Sequence, residues 1–99
     1  MANNRNLQIA RNIAANLGIE GTINISKVKG KRFSITKADG KKIHFGVWPY
    51  TGDGTFIDHG DEKIKKAWKA RHRKILKDGK PAFKNKDSPE YYSWNILWN

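Results

Sequence analysis

Leucine, ordinarily among the commonest core residues, occurs only four times in this chain, at Leu7, Leu17, Leu76 and Leu97. Eleven Ile, two Val and four Phe bring the branched aliphatics and phenylalanine to 21 of 99 residues, close to the ~20% level below which chains tend toward disorder. A usable interior must therefore recruit the four Trp and three Tyr, whose rings are large enough to replace the missing aliphatic volume. A chain of this length holds one hydrophobic core, so the expectation is a single small domain over residues 1–99 and no multidomain enzyme.

Charge is the second constraint. Twenty Lys and Arg against nine Asp and Glu give a net charge of +11, an excess that repels itself in a compact state and points to a polyanionic partner. Nucleic acid is the leading candidate. The excess comes in two blocks, +6 over residues 27–42 and +6 over 59–80, each interleaved with apolar residues as in structured segments. Without cysteine the chain has no disulfide framework and no thiolate zinc site. Met1-Ala2-Asn3-Asn4-Arg5 leads into no long apolar run, so no secretory signal is expected. No stretch approaches the ~18–20 apolar residues of a membrane span, so the reading is a soluble protein with no membrane partner.

Periodicity predicts the elements. Leu7, Ile9, Ala10, Ile13, Ala14 and Leu17 share one side of a helix over 4–17, within a helical segment 1–20 that Gly18 stops. A β region follows over 21–47. Ile23 and Ile25 alternate with polar residues, and 31–47 forms a hairpin around Asp39-Gly40. A two-residue turn would send its apolar sets to opposite faces, whereas a three-residue loop of Ala38, Asp39 and Gly40 pairs Ile35 with Ile43 and Phe33 with Phe45. The second is preferred. Residues 48–60, with Pro49, Gly52, Asp53, Gly54 and Gly60, read as a loop with an extended piece at Thr55-Phe56-Ile57. A basic helix is expected from Asp61 to Lys77 (61–78 with its boundary), stopped by Gly79 and Pro81. Ser88 caps a closing aromatic helix over 88–98, with Pro89 in its first turn. The fold class is α+β: an N-terminal helix, a small antiparallel sheet centred on the hairpin, and two C-terminal helices.

On the basic helix a wheel places Ile64, Ala67, Trp68 and Ile75 inward, with Lys65, Lys66, Lys69, Arg73 and Lys77 outward. The outward set reads as a phosphate-contacting face, with an ordinary solvated lysine face as its bland counterpart. Arg32, Lys41 and Lys42 add a second cluster around the hairpin. Arg71 falls inside the apolar stripe and, as a buried charge, needs a partner; with Trp68, Trp94 and Trp98 it is assigned a structural role, the alternative for Arg71 being a ligand for a phosphate or catalytic anion in a groove. Trp48, Tyr50, Tyr91, Tyr92, Trp94 and Trp98 are candidates to stack bases, but a leucine-poor core needs such rings inside. Asp58-His59 and His72 on a helix after a hairpin suggest an alternative, a ββα-type metal-dependent nuclease with a His general base. No nucleotide-cradling glycine motif is present, and neither metal nor cofactor is expected.

Lys42-Ile43-His44-Phe45-Gly46, then Phe56-Ile57-Asp58-His59-Gly60-Asp61-Glu62-Lys63, Arg71-His72 and the ending Ile96-Leu97-Trp98-Asn99 resemble segments of small basic proteins encoded by large DNA viruses and some phages. The resemblance covers about residues 31–99. The loop from Val47 to Gly54 departs from it and the N-terminal helix lies outside it. It implies a viral source, presence in the virion and in the host cytoplasm during assembly, and a capsid-associated or genome-associated role, with no catalytic residue carried over. The expected function is thus a non-enzymatic virion component that contacts capsid protein, packaged nucleic acid, or both, its nucleic-acid contacts going to phosphates with low sequence preference.

Overall fold

A computed structural model describes residues 6–49, 52 and 54–99. The expected helix start at residues 4–5, Tyr50 and Asp53 lie outside them. The chain forms α1 (Leu7–Asn16), β1 (Thr22–Ile25), β2 (Lys31–Thr36), β3 (Lys42–Val47), a single helical turn α2 (Phe56–His59), α3 (Glu62–His72), a two-residue ladder β4 (Leu76–Lys77) and β5 (Lys80–Pro81), then α4 (Pro89–Tyr92) running into a π-helical turn, Ser93–Leu97. The architecture is α+β, an antiparallel sheet ordered β1-β2-β3 with helices before and after it.

The hairpin register follows from its loop. The Lys37 N–H donates to the Lys41 carbonyl and the Gly40 N–H to the Lys37 carbonyl, closing a three-residue loop with Gly40 at φ +87°. Ile35 then pairs with Ile43 and Phe33 with Phe45, while β1 places Ile23 against Ile35 and Ile25 against Phe33. Direct partners share a face, so one side of the sheet is continuously apolar. Ala10 and Ala14 of α1 and Tyr92, Ile96 and Leu97 of the closing segment complete the core. Leu97 is the one leucine buried among the described residues, and Phe33, Phe45 and Tyr92 form a ring cluster with centroids 5.8–6.0 Å apart. Ser88 caps α4 as expected, its hydroxyl accepting from the Glu90 N–H.

Three expectations are corrected. Thr55-Phe56-Ile57 is the entry to α2 and not an extended piece. The Thr55 N–H and hydroxyl both donate to Asp58 Oδ2, at 2.7 and 2.8 Å, a capping arrangement that nucleates the turn. The basic helix ends at His72, not at Lys77. Asp78 and Gly79 both have positive φ (55° and 78°), the signature of a type I′ turn, so they fold Leu76–Lys77 back onto Lys80–Pro81. The closing helix changes character at Ser93, where α-helical pairing gives way to the π turn.

Asp61 caps α3, its carboxylate accepting from the N–H groups of Lys63 and Ile64. The inward face of α3 is not the expected one. Ala67 and Arg71 are exposed, whereas Lys65, Trp68, Lys69 and His72 are half-buried, so the helix is turned by about 100°, one residue's worth. The cause is aromatic. Trp68 stacks on Trp98 from the chain end (4.8 Å, 11°) and on His72 (3.9 Å, 14°), and Lys65 and Lys69 lay their ammonium groups over Phe56 and Trp94.

Candidate functional site: a groove beside a basic helix

The buried charge is Arg32 and not Arg71. Arg32, assigned from the sequence to the nucleic-acid-binding set, is 1% exposed and grips Asp58 through two hydrogen bonds of 2.7 Å. Asn6, which precedes α1, donates to the same carboxylate. Burial would push the Asp58 carboxyl up, but the bonds from Arg32 and Thr55 outweigh it and hold it down at about 2. Gly46 makes room for this arrangement. Its backbone sits at φ +81°, and a Cβ added there would meet Leu97 Cδ1 at 2.9 Å and Arg32 Cβ at 3.0 Å, closer than side chains pack.

The other predicted phosphate contacts divide. Lys41 pairs with Asp87 at 3.4 Å, beside Lys37 at 3.1 Å, and Lys77 donates to the Asp87 carbonyl. The Lys37 hydrogen bond holds the Asp87 carboxyl low. Lys65 is tied to Glu62 and to the Asn99 carbonyl. Lys69 lies over Trp94, and burial pushes its ammonium down, with the charge of Lys65 acting in the same direction. Lys42, Lys66 and Arg73 are exposed. The rotation of α3 brings Lys63 and Lys74, which the wheel had not selected, onto the same outer arc as Lys66 and Arg73.

On its other flank α3 borders a groove of about 550 Å³. One wall is the open end of the hairpin, where Lys31 and Val47 are cross-strand partners. The facing elements are the Ile64, Trp68, Arg71 and His72 positions of α3, and the floor is Leu97 and Trp98. Each wall therefore offers one cation and one exposed aliphatic: Lys31 with Val47, Arg71 with Ile64. His72 Nδ1 lies 2.9 Å from both oxygens of Glu90, which orients its ring. His59 accepts the Asp61 N–H at Nδ1, and its buried Nε2 has no partner among the described residues. Arg71 is thus a groove residue with solvent access, not a buried strut. Trp68 and Trp98 do form the expected stack, and Trp94 packs on Phe83 at 4.0 Å.

Of Asp58, His59 and His72, the set of the nuclease alternative, the two histidines line the groove but Asp58 does not. Asp58 is consumed by Arg32, Thr55 and Asn6, while His59 and His72 take partners from their own surroundings. Among the described residues no group of three His, Asp or Glu side chains is placed to hold a metal, and no helix is long and apolar enough to cross a membrane.

The four short segments that carry the viral resemblance, scattered from residue 42 to 99, each send a residue to this groove: Gly46, His59, Arg71 with His72, and Leu97 with Trp98. Sequence reasoning missed Lys31, Val47 and Ile64, because a groove wall is defined by what faces it and not by local pattern. No curated protein and no solved structure matches the chain. Residues 21–72, just over half of the 99 and spanning the sheet, α2 and α3, match a family of unknown function, DUF5754, and the chain belongs to that family.

Proposed function

We propose that the protein is a non-enzymatic, basic component of a virus particle that binds nucleic acid through its phosphates with little sequence preference. The observation that carries the reading is the outer arc of α3 and its last turn, where Lys63, Lys66, Arg73 and Lys74 stand exposed. Much of the acidic complement is already engaged: Asp58 with Arg32, Asp87 with Lys37 and Lys41, Glu90 with His72, Glu62 with Lys65. None of Lys63, Lys66, Arg73 and Lys74 is in an ion pair among the described residues. Counterion release at such a face supplies affinity without reading bases. The viral attribution rests on the short segments that resemble proteins of large DNA viruses and phages, and association with capsid protein belongs to the same reading. Commitment of Asp58 to Arg32 favours it over the nuclease alternative.

The experiment is a salt titration of binding to two unrelated duplexes. Four engaged cations, each releasing ~0.9 ions, give a log–log slope near −4, the same for both sequences. A slope near zero, or no binding at low salt, would overturn the proposal.

A further inference from the structure

The groove has a composition that the outer arc lacks. Its walls each pair one cation with one exposed aliphatic, its floor is ring and leucine side chain, and the carboxylate in its lining, Glu90, is taken up by His72. A pure phosphate surface has no use for apolar walls, and a pure apolar-peptide groove has no use for a cation on each side. The ligand chemistry that matches both is a flat, weakly polar body carrying anionic groups at its ends. At about 550 Å³ the space falls within the ~300–1,000 Å³ of small-ligand sites, enough for a base with its sugar and too small for a duplex.

We infer that the groove between the open end of the β2–β3 hairpin and α3 takes an unpaired base of single-stranded nucleic acid, with the flanking phosphates on Lys31 and Arg71. This rests on the nucleic-acid reading above and adds a preference for single strands that the outer arc alone would not give. Val47 and Ile64 receive the base from the two walls, with Leu97 and Trp98 beneath it. Because Arg71 shares α3 with Lys63 and Lys66, a strand leaving the groove can continue onto the outer cations. Apolar and ring contacts with bases tolerate any sequence, which agrees with low sequence preference.

The test compares three labelled ligands by fluorescence anisotropy: an oligothymidylate of about twelve nucleotides, a strand of equal length with abasic sugars, and a duplex of the same length. The abasic strand keeps the phosphates and loses only the bases. The expected result is oligothymidylate binding about tenfold tighter than the abasic strand, the scale of one well-packed base. Ile64→Gln and, separately, Val47→Gln should bring the two single strands close to parity while leaving duplex affinity unchanged. Both positions are solvent-accessible, Val47 at 63%, so the fold survives. Equal affinity for thymidylate and abasic strands, with duplex binding intact, would overturn this inference and spare the phosphate reading. A preference that persists in both variants would also overturn it. Absence of binding to all three ligands would remove both.

Discussion

Asp58 and Arg32, 26 residues apart, meet in a two-pronged ion pair whose side chains are 4% and 2% exposed, and the carboxylate also receives Thr55 and Asn6. This one contact ties the hairpin to α2 and to the start of α1. Leaving either partner buried alone is costly, because the remaining charge has lost its counter-charge without regaining water.

Arg32→Ala should therefore destabilise the protein by about 3–5 kcal/mol, as loss of one member of a buried pair does. Arg71→Ala, at an exposed position, should stay within about 0.5 kcal/mol. Urea unfolding of both variants makes the comparison, and equal effects would contradict the assignment of the buried charge to Arg32.

Acid should attack the same pair. The Asp58 carboxyl is held at about 2, below its ordinary 3.8, so it binds its proton more readily in the unfolded chain than in the folded one. Its contribution is fully present above pH ~4 and is lost as pH falls from there through about 2, a total of about 2 kcal/mol. Urea midpoints measured between pH 5 and 2 should show this loss, and Asp58→Asn should be less stable at pH 5 and flatter over that window.

Gly46→Ala should cost about 1–3 kcal/mol. The added methyl meets Leu97 Cδ1 and Arg32 Cβ at 3.0 Å or less, on backbone already at φ +81°. Thermal unfolding would register it, whereas Gly40→Ala, strained at φ +87° but with open space around it, should be the milder of the two.

Reversing Lys66 and Arg73 to Glu should weaken binding to all nucleic acids alike and flatten the salt slope by about 2, ~0.9 for each lost contact. Both side chains are exposed, so the melting temperature should hold. Reversing Lys41 and Lys77, already engaged with Asp87, should change the slope less.

What the sequence determined is local. Alternation of Phe33 and Ile35 with polar neighbours, set against Ile43 and Phe45, leaves one register that keeps both apolar sets together, and the three-residue loop through Gly40 delivers it. Ser88 and Asp61 announce helix starts because a side-chain oxygen two or three residues from a free N–H needs no tertiary partner. The Thr55-x-x-Asp58 spacing was legible in the same way and would have replaced the extended piece with α2. Asp78-Gly79 carried a hairpin signal that the helical periodicity upstream obscured.

Tertiary structure alone decided which arginine is buried and which way α3 faces. Periodicity follows the apolar neighbours, so a helical wheel sends Arg71 inward and strand alternation sends Arg32 out. The protein reverses both, because Arg32 meets a carboxylate delivered by a distant turn, while Arg71 meets none among the described residues. Likewise the stacking of Trp98 on Trp68, between residues 30 apart, turns α3 by about one position and lets lysine ammonium groups lie over rings that a pattern rule would bury under aliphatics. Charge burial and ring stacking are satisfied by partners in space, so chain-local periodicity can state the need for a partner but not where it will come from.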